Sequence, residues 1–417
     1  MPPASSANAK ISWQPSFTPA LILLGLAIVI NYVDRGNLSF AATSIQTELQ
    51  LSSTALGFLL SAFFYTYMVL QFVIGGVVDR FGANRVLTAG LLVWSLATLA
   101  TSFAGSFMAL LGLRLLLGVG ESVAFPCTSK LIAQNVPQER RGIANAVITA
   151  GLKFGPAVGA LGAGLLIAKY GWRSVFLWLG MISLLWIPAW FRWKPLSPIT
   201  SARETAALVG YLQIFKQRYF WGCSAGHFCF NYLSYFLLTW LPAYFQHERH
   251  LSQAALSRAA GAFYLVDASA ALFTGWFCDH LIKRGVDASR VRKGASGIGS
   301  FLAAAALLAC AFAGGDTYYY WLLLAAAGSG AAGCGVFLFA QSLAGPRAVG
   351  QWSALQNGFG NFAGLIAPAF TGFLVDRTGH YFSAFAVTAA ISVTGGLVWI
   401  FGVRLAPVEW AGDSKLT

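Results

Sequence analysis

The amino-acid sequence predicts an all-α membrane protein in which twelve transmembrane helices form two six-helix, pseudo-symmetric bundles. Three observations support this prediction: the composition, the division of the chain into apolar runs, and an internal repeat. Of the 417 residues, 57% are hydrophobic and only 10% are charged, whereas soluble proteins carry about 25% charged residues. So much apolar surface requires lipid as its solvent.

Twelve apolar runs are long enough to cross a bilayer, which takes roughly 20 residues of helix. They lie near residues 18–42, 54–78, 84–104, 107–134, 142–168, 173–193, 219–245, 254–280, 295–314, 318–342, 350–375 and 381–404. The first run is longer than the apolar region of a cleavable signal peptide, and polar residues precede it. We therefore expect this run to be retained as the first span.

The basic residues are distributed unevenly along the chain. A formal net charge of +13 could suggest nucleic-acid binding, but the positions of the charges indicate another cause. If both termini lie in the cytoplasm, 19 of the 27 Lys and Arg residues fall in cytoplasmic segments, five in outer loops and three inside spans. This is the positive-inside pattern of membrane proteins. We therefore expect a multi-pass protein of the inner (plasma) membrane with both termini in the cytoplasm and no nucleic-acid partner.

An internal repeat divides the chain into two halves. GGVVDRFGANR at 75–85 follows the second span, and GWFCDHLIKRG at 275–285 follows the eighth. The repeat predicts an N-terminal bundle over residues 1–193, a cytoplasmic linker over 194–218 and a C-terminal bundle over 219–417. The charged residues of the two loops are expected to form a latch that closes the cytoplasmic gate; they are Asp79, Arg80, Arg85 and Asp279.

Several motifs resemble those of a known transporter family. The loop at 75–85 is similar to the signature of the major facilitator superfamily. Four further segments resemble those of the anion:cation symporter family within that superfamily. They are NYVDRGNLS (31–39), FYTYMVLQ (64–71), RLLLGVGESVAFP (114–126) and GFGNFAGLIAP (358–368). Its members include proton-coupled carriers of galactonate, glucarate, hexuronates, tartrate and aromatic acids. The resemblance implies the major facilitator fold and alternating-access import of a small organic anion, most simply a sugar acid, together with protons.

Four charged residues lie in two apolar runs, Asp34 and Arg35 in the first and Arg114 and Glu121 in the fourth. Charges at bilayer depth are costly and usually functional. A buried carboxylate favours its protonated form unless a cation is close, so Asp34 and Glu121 are candidate proton carriers. Arg114 lies seven residues from Glu121 on nearly the same helix face, as a charge partner would. The alternative is a static ion pair that pins spans one and four together.

The predicted substrate-binding residues are polar side chains within spans. Arg35 offers a carboxylate two parallel hydrogen bonds, and Lys153 lies halfway along span five, where a local ion-pair role is the alternative. Tyr67 and Gln71, four residues apart on span two, and Asn357 on span eleven could either contact substrate or simply pack. Asp267, in the middle of span eight, could be functional, as intramembrane acids usually are, or could instead pair or face a water-filled crevice. With Asp34 and Glu121 ionised, the three cations Arg35, Arg114 and Lys153 leave a net charge of +1.

Other functional classes lack support in the sequence. The six Cys show no metal or redox spacing, and no two of the five His have ligand spacing within a span. We therefore predict no enzyme, no cofactor and no metal site. The expected partners are the organic anion, protons and the lipid bilayer, and the chain is expected to act as a monomer.

An organophosphate exchanger would need a cation in each half, which spans seven to twelve lack. A carrier of another carboxylate, such as tartrate or an aromatic acid, and a non-transporting sensor on the same fold remain alternatives.

Overall fold

The computed structural model describes residues 17–136, 141–195, 209–333, 335–404, 408 and 410. Within them the chain forms fifteen α-helices followed by a π-helical turn at Val398–Gly402. The helices are α1 (Phe17–Leu49), α2 (Ser53–Gln71), α3 (Ile74–Phe81), α4 (Ala83–Thr101), α5 (Phe107–Glu121), α6 (Ala124–Asn135), α7 (Arg141–Tyr170), α8 (Trp172–Trp193), α9 (Tyr211–Phe215), α10 (Arg218–His247), α11 (Gln253–Lys283), α12 (Ala288–Phe312), α13 (Thr317–Gly333), α14 (Val336–Thr378) and α15 (Phe382–Leu397).

These helices provide the twelve expected spans. Eleven segments are long and apolar enough to cross a membrane, and α10, with 30 residues, is the twelfth. The fourth span combines α5 with α6, and the tenth combines α13 with the start of α14, so that it runs from Thr317 to Ala344. Lipid offers no hydrogen bonds, so the backbone must satisfy its own polar groups within each helix. The predicted fold class is confirmed.

The two bundles repeat the same close helix contact. In the first, α4 meets α5 at Gly90 and Gly120, and a Cβ on Gly120 would lie 2.6 Å from the backbone N of Trp94. In the second, α12 meets α13 at Gly299 and Gly328, where a Cβ on Gly328 would lie 2.5 Å from a backbone N. Small residues allow membrane helices to approach this closely. The contact joins the third and fourth spans of each half, as pseudo-symmetry requires.

The linker predicted between the halves is described only in part. Residues 196–208 lie outside the described part of the chain, and the short helix α9 lies within the predicted linker. The repeated loops end alike, because Gly82 and Gly285 both have positive φ, at 84° and 91°. That conformation favours glycine. A glycine therefore turns the chain in each of the two loops, although at different positions of the repeat.

The most extensive contacts between the halves join α1 with α10, α2 with α14, and α7 with α11. Asp376 on α14 accepts hydrogen bonds from the backbone N of Ser53, at 2.9 Å, and of Thr54, at 2.7 Å, and also from the Thr54 hydroxyl. Thr43 Oγ1 and His247 Nε2 lie 3.5 Å apart nearby. All these residues lie at the end of the bundle opposite the start of α1 and the end of α15. The two halves are therefore closed against each other at that face.

The residues of the expected cytoplasmic latch do not come together in this conformation. Arg80, Arg85 and Asp279 are exposed, and among the described side chains none of the three forms an ion pair. The side chain of Asp79 lies outside the described residues. The latch residues lie at the other end of the bundle, near the start of α1. Their gating role stays a prediction for the other conformation.

The contact between α2 and α14 provides a test of this closure. A Cβ on Gly57 would lie 2.5 Å from the carbonyl oxygen of Pro368, a backbone atom of the other half. Overpacking of this kind costs about 1–3 kcal/mol. We expect Gly57→Ala to disfavour this conformation, so that spin labels at Gln50 and His380 move apart and transport slows.

The matched control is Gly112→Ala on α5, because a Cβ at Gly112 meets nothing within 4 Å. It should leave both the label distances and transport unchanged. Identical distance distributions for Gly57→Ala and the unsubstituted protein would show that this contact does not hold the halves closed.

Candidate functional site

An ion pair between the first and fourth spans forms the centre of the site. Arg35 Nε donates a 2.9 Å hydrogen bond to Glu121 Oε2. The side chains are 4% and 0% exposed, so both charges are sealed from solvent. Charged hydrogen bonds of this kind are about twice as strong as neutral ones. Neither Arg35 Nη2 nor Glu121 Oε1 has a protein hydrogen-bond partner. The pair can therefore accept another donor or acceptor without being rebuilt.

Three aromatic rings surround the Arg35 guanidinium. Its Cζ lies 4.9 Å from the ring centroid of Tyr32, 4.8 Å from that of Phe63 and 4.5 Å from that of Tyr67. Phe63 and Tyr67 are themselves stacked, with centroids 5.0 Å apart. Cation–π contacts of desolvated groups contribute roughly 2 kcal/mol each. The rings therefore hold the guanidinium in place even when its carboxylate partner changes. Tyr67, predicted to contact substrate, belongs to this cage.

Asp34 points away from Arg35, as adjacent helical residues do. It is 2% exposed, and its Oδ1 accepts a 2.9 Å hydrogen bond from Thr98 Oγ1 on α4. Its Oδ2 has no protein hydrogen-bond partner. Thr98 is a contact that the sequence did not indicate. Asp34 is thus a second buried acid beside the Arg35–Glu121 pair.

Arg114 is buried near the two acids without pairing with either of them among the described residues. Its Cζ lies 5.7 Å from the Phe63 ring centroid, and its Nε has no hydrogen-bond partner. The sequence placed it on the same face as Glu121. Seven residues also separate the two by about 10 Å along the helix, which explains why Glu121 pairs across to α1 instead. Arg114 remains a cation that an anion could engage.

Lys153 and Asp267, expected separately in the middle of two spans, form an ion pair with each other. Lys153 Nζ lies 3.2 Å from Asp267 Oδ2, and the side chains are 17% and 16% exposed. Lys153 belongs to α7 and Asp267 to α11, so the pair joins the two halves. With Asp267 included, three acids balance three cations, and the net charge of +1 expected from the first half becomes zero.

The remaining predicted contacts are partly engaged by the protein itself. Gln71 Nε2 donates to the carbonyl oxygen of Ser122, at 3.2 Å, which leaves the amide oxygen of Gln71 for a ligand. Asn357 is half-buried, and its backbone carbonyl accepts from Asn361 Nδ2 at 2.8 Å. Asn361 in turn accepts from the Tyr235 hydroxyl at 2.6 Å. Asn361 and Tyr235 are therefore more firmly organised than Asn357, the residue that the sequence favoured.

Tyr235 links this polar pair to the aromatic cage. Its ring centroid lies 4.4 Å from that of Phe64 on α2, and its hydroxyl is within electrostatic range of Arg35. Tyr235 belongs to α10 and Phe64 to α2, so this contact also crosses between the halves. A ligand held by Arg35 would thus have aromatic and amide groups of both halves around it.

Comparison with known proteins identifies the family. Residues 24–368 match the model of the Major Facilitator Superfamily. The chain belongs to this superfamily. Its resemblance to sugar-acid and organic-anion transporters is confirmed by its relatives.

Two of these relatives are bacterial. The hexuronate transporter of Bacillus subtilis (strain 168) is 30% identical over 414 residues, which cover 93% of this chain and 94% of that protein. The protein named "Probable galactarate/D-glucarate transporter" in Escherichia coli (strain K12) is 30% identical over 416 residues, covering 91% of this chain and 93% of that one. These relatives are named as transporters and not as enzymes.

Solved structures share the fold. A bacterial homologue of the human lysosomal transporter Spinster, in an inward-facing and occupied conformation, has a TM-score of 0.80 and 17% identity, covering 94% of this chain and 98% of that one. The D-xylose–proton symporter has a TM-score of 0.79 and 15% identity, covering 94% and 99%. At these identities the likeness concerns the fold alone.

Arg35→Lys tests whether the guanidinium, and not merely its charge, organises the site. Lysine cannot both donate from the Nε position to Glu121 and present a plane to three rings. Losing one charge-assisted hydrogen bond to a ligand carboxylate should weaken binding about ten- to a hundredfold. Titration calorimetry with a hexuronate and an aldarate measures this loss.

Arg192→Lys is the matched control, because Arg192 is exposed and lies 4.7 Å from the ring centroid of its neighbour Trp193. It should bind both acids as the unsubstituted protein does. Normal affinity in Arg35→Lys would mean that any cation at this position suffices.

Proposed function

We propose that this protein imports a small organic anion together with protons by alternating access, and that the anion is a sugar acid such as a hexuronate, aldonate or aldarate. The observation that carries the proposal is the sealed Arg35–Glu121 ion pair inside a cage of aromatic rings. The relatives named for hexuronate and for galactarate or glucarate transport support the substrate class. We further propose an inner-membrane location, cytoplasmic termini and a monomeric carrier.

Coupling arises from competition for one guanidinium. While Glu121 is ionised, it occupies Arg35 and an external carboxylate has no counter-charge. A proton added to Glu121 neutralises it and releases the guanidinium, which then binds the carboxylate of the substrate. A single charge in this site is costly unless paired, so Arg35 favours having either the ionised Glu121 or the substrate as its partner. Loss of the proton from Glu121 restores the internal pair and expels the anion.

Asp34 offers a place for a second proton. Only one of its oxygens has a hydrogen-bond donor, Thr98, and Arg114 lies within electrostatic range of it. Protonation of Asp34 would strengthen the attraction of Arg114 for an anion in the same way. Two acids, Asp34 and Glu121, lie beside two arginines, Arg35 and Arg114. The number of protons bound can therefore match the number of negative charges on the substrate.

The conformation determines where the site opens. The contacts of Asp376 with Ser53 and Thr54 close the face opposite the termini. If the termini are cytoplasmic, as the distribution of basic residues favours, these contacts close the outer face, and the sealed site must open at the cytoplasmic face to release substrate.

The alternatives fit the site less well. An organophosphate exchanger would require cations from both halves, yet Arg35, Arg114 and Lys153 all belong to the first. Carriers of tartrate or aromatic acids would share the mechanism and differ only in the shape of the pocket. A non-transporting sensor would bind the acid but fail to accumulate it in proteoliposomes.

A panel of sugar acids, tartrate and aromatic acids screened by thermal shift would identify the ligand. Uptake of the best ligand into proteoliposomes under an imposed pH gradient then tests transport. We expect accumulation that an uncoupler abolishes. Accumulation that persists after the pH gradient and membrane potential have collapsed would exclude proton coupling.

Glu121→Gln should separate binding from coupling. The amide mimics a permanently protonated carboxyl, so Arg35 stays available to substrate. We expect this variant to bind ligand and to exchange it in counterflow at a normal rate, while net proton-driven accumulation is lost.

Glu48→Gln is the control, because Glu48 pairs with Arg173 at the surface, where the side chains are 42% and 40% exposed. This variant should accumulate substrate normally. If Glu121→Gln also accumulated substrate normally, Glu121 would have a structural role only.

A further inference from the structure

We propose that Lys153 and Asp267 form a second carboxylate subsite, which makes the protein selective for dicarboxylates over monocarboxylates. This inference rests on the proposed function and narrows its substrate class. Arg35 would bind one end of the anion and Lys153 the other. Asp267 occupies the place of the second carboxylate when no dicarboxylate is bound.

The geometry of the Lys153–Asp267 pair would allow a substrate carboxylate to replace Asp267 beside Lys153. An Asp267 carboxylate oxygen lies 3.2 Å from Lys153 Nζ, at the long end of the range for N–H···O hydrogen bonds. Both side chains are at least four times as exposed as Arg35 and Glu121, at 17% and 16% against 4% and 0%. A pair open to water loses less on separation than a sealed one. Asp267 can therefore leave Lys153 and remain solvated.

The helix register places the two cations at different depths along α1 and α7. Helices α1 and α7 run side by side, because a Cβ on Gly151 would meet Ile28 and a Cβ on Gly155 would meet Tyr32. Lys153, midway between these glycines, is thus level with residue 30 of α1. Arg35 is five residues further along, which corresponds to about 7 Å along the axis at 1.5 Å per residue. A ligand that reached both cations would therefore extend along the helix axes, as an open-chain aldarate can.

Charge explains why the pair would select dicarboxylates. A monocarboxylate bound to Arg35 leaves the Lys153–Asp267 pair intact and gains nothing from it. A dicarboxylate replaces Asp267 with its own second carboxylate, so Lys153 keeps a partner throughout. Because Asp267 lies on α11 and Lys153 on α7, the exchange also breaks a contact between the halves. Occupation of the second subsite thereby changes how tightly the halves are held together.

The experiment compares two acids that differ at one end only. Galactarate and galactonate share a six-carbon skeleton, but galactarate has a carboxylate where galactonate has a hydroxymethyl group. Dissociation constants and uptake are measured for the unsubstituted protein, Lys153→Gln and Asp267→Asn. Lys169→Gln is the control, because Lys169 lies at the exposed end of the same helix.

The two variants should change galactarate binding in opposite directions. Lys153→Gln should weaken galactarate binding about ten- to a hundredfold, as one charge-assisted hydrogen bond is lost, with galactonate changed little. Asp267→Asn removes the competing carboxylate and should strengthen galactarate binding about three- to tenfold. A merely structural ion pair predicts instead that both variants lower thermal stability and affect the two acids equally.

The outcomes separate this inference from the proposed function. Equal affinity of the unsubstituted protein for the two acids, or equal losses for both in Lys153→Gln, would refute the second subsite while leaving galactonate uptake as evidence of transport. Weaker galactarate binding in Asp267→Asn would show that Asp267 supports Lys153 and does not compete for it. If the unsubstituted protein transported no organic anion under a pH gradient, the proposed function would fail first.

Discussion

A charge inside a membrane must have a partner or lose its charge, and the Arg35–Glu121 ion pair is where this chain meets that requirement. The pair holds α1 against α5 at the centre of the first bundle. Three rings fix the guanidinium from the sides not taken by the carboxylate. The position of α2 follows, because two of those rings, Phe63 and Tyr67, belong to it. The packing of α1, α2 and α5, the rings around Arg35 and the exclusion of solvent from the site all serve to keep this one cation paired.

Pairing also connects the chemistry of the site to the movement of the bundles. The described residues of the site include three acids, Asp34, Glu121 and Asp267, and three cations, so that each bound proton leaves one positive charge unbalanced. An organic anion supplies the missing charge. Arg35 and Glu121 lie within one half, whereas Lys153 and Asp267 lie in different halves. Protonation inside the first bundle and separation of the two bundles are therefore linked through the same anion.

The sequence predicted the features that depend on local composition, namely the spans and the charged residues within them. Apolar length identified the twelve spans, and the rarity of charge in them pointed to Asp34, Arg35, Glu121 and Lys153. It could not predict which charges pair, because pairing depends on how each helix is rotated against its neighbours. Lys153 and Asp267 are 114 residues apart, and nothing in either span indicates the other.

The exchange of partners at Arg35 explains how a transporter can bind its substrate firmly and still release it. A carboxylate in water and a carboxylate on a buried guanidinium differ greatly in free energy, so an Arg35 that alternated between substrate and no partner would turn over slowly. Here it alternates between substrate carboxylate and Glu121 carboxylate, two partners of the same chemistry. The net change is then the difference between two similar ion pairs plus one proton transfer. Small differences of that kind are what a proton gradient can drive in either direction.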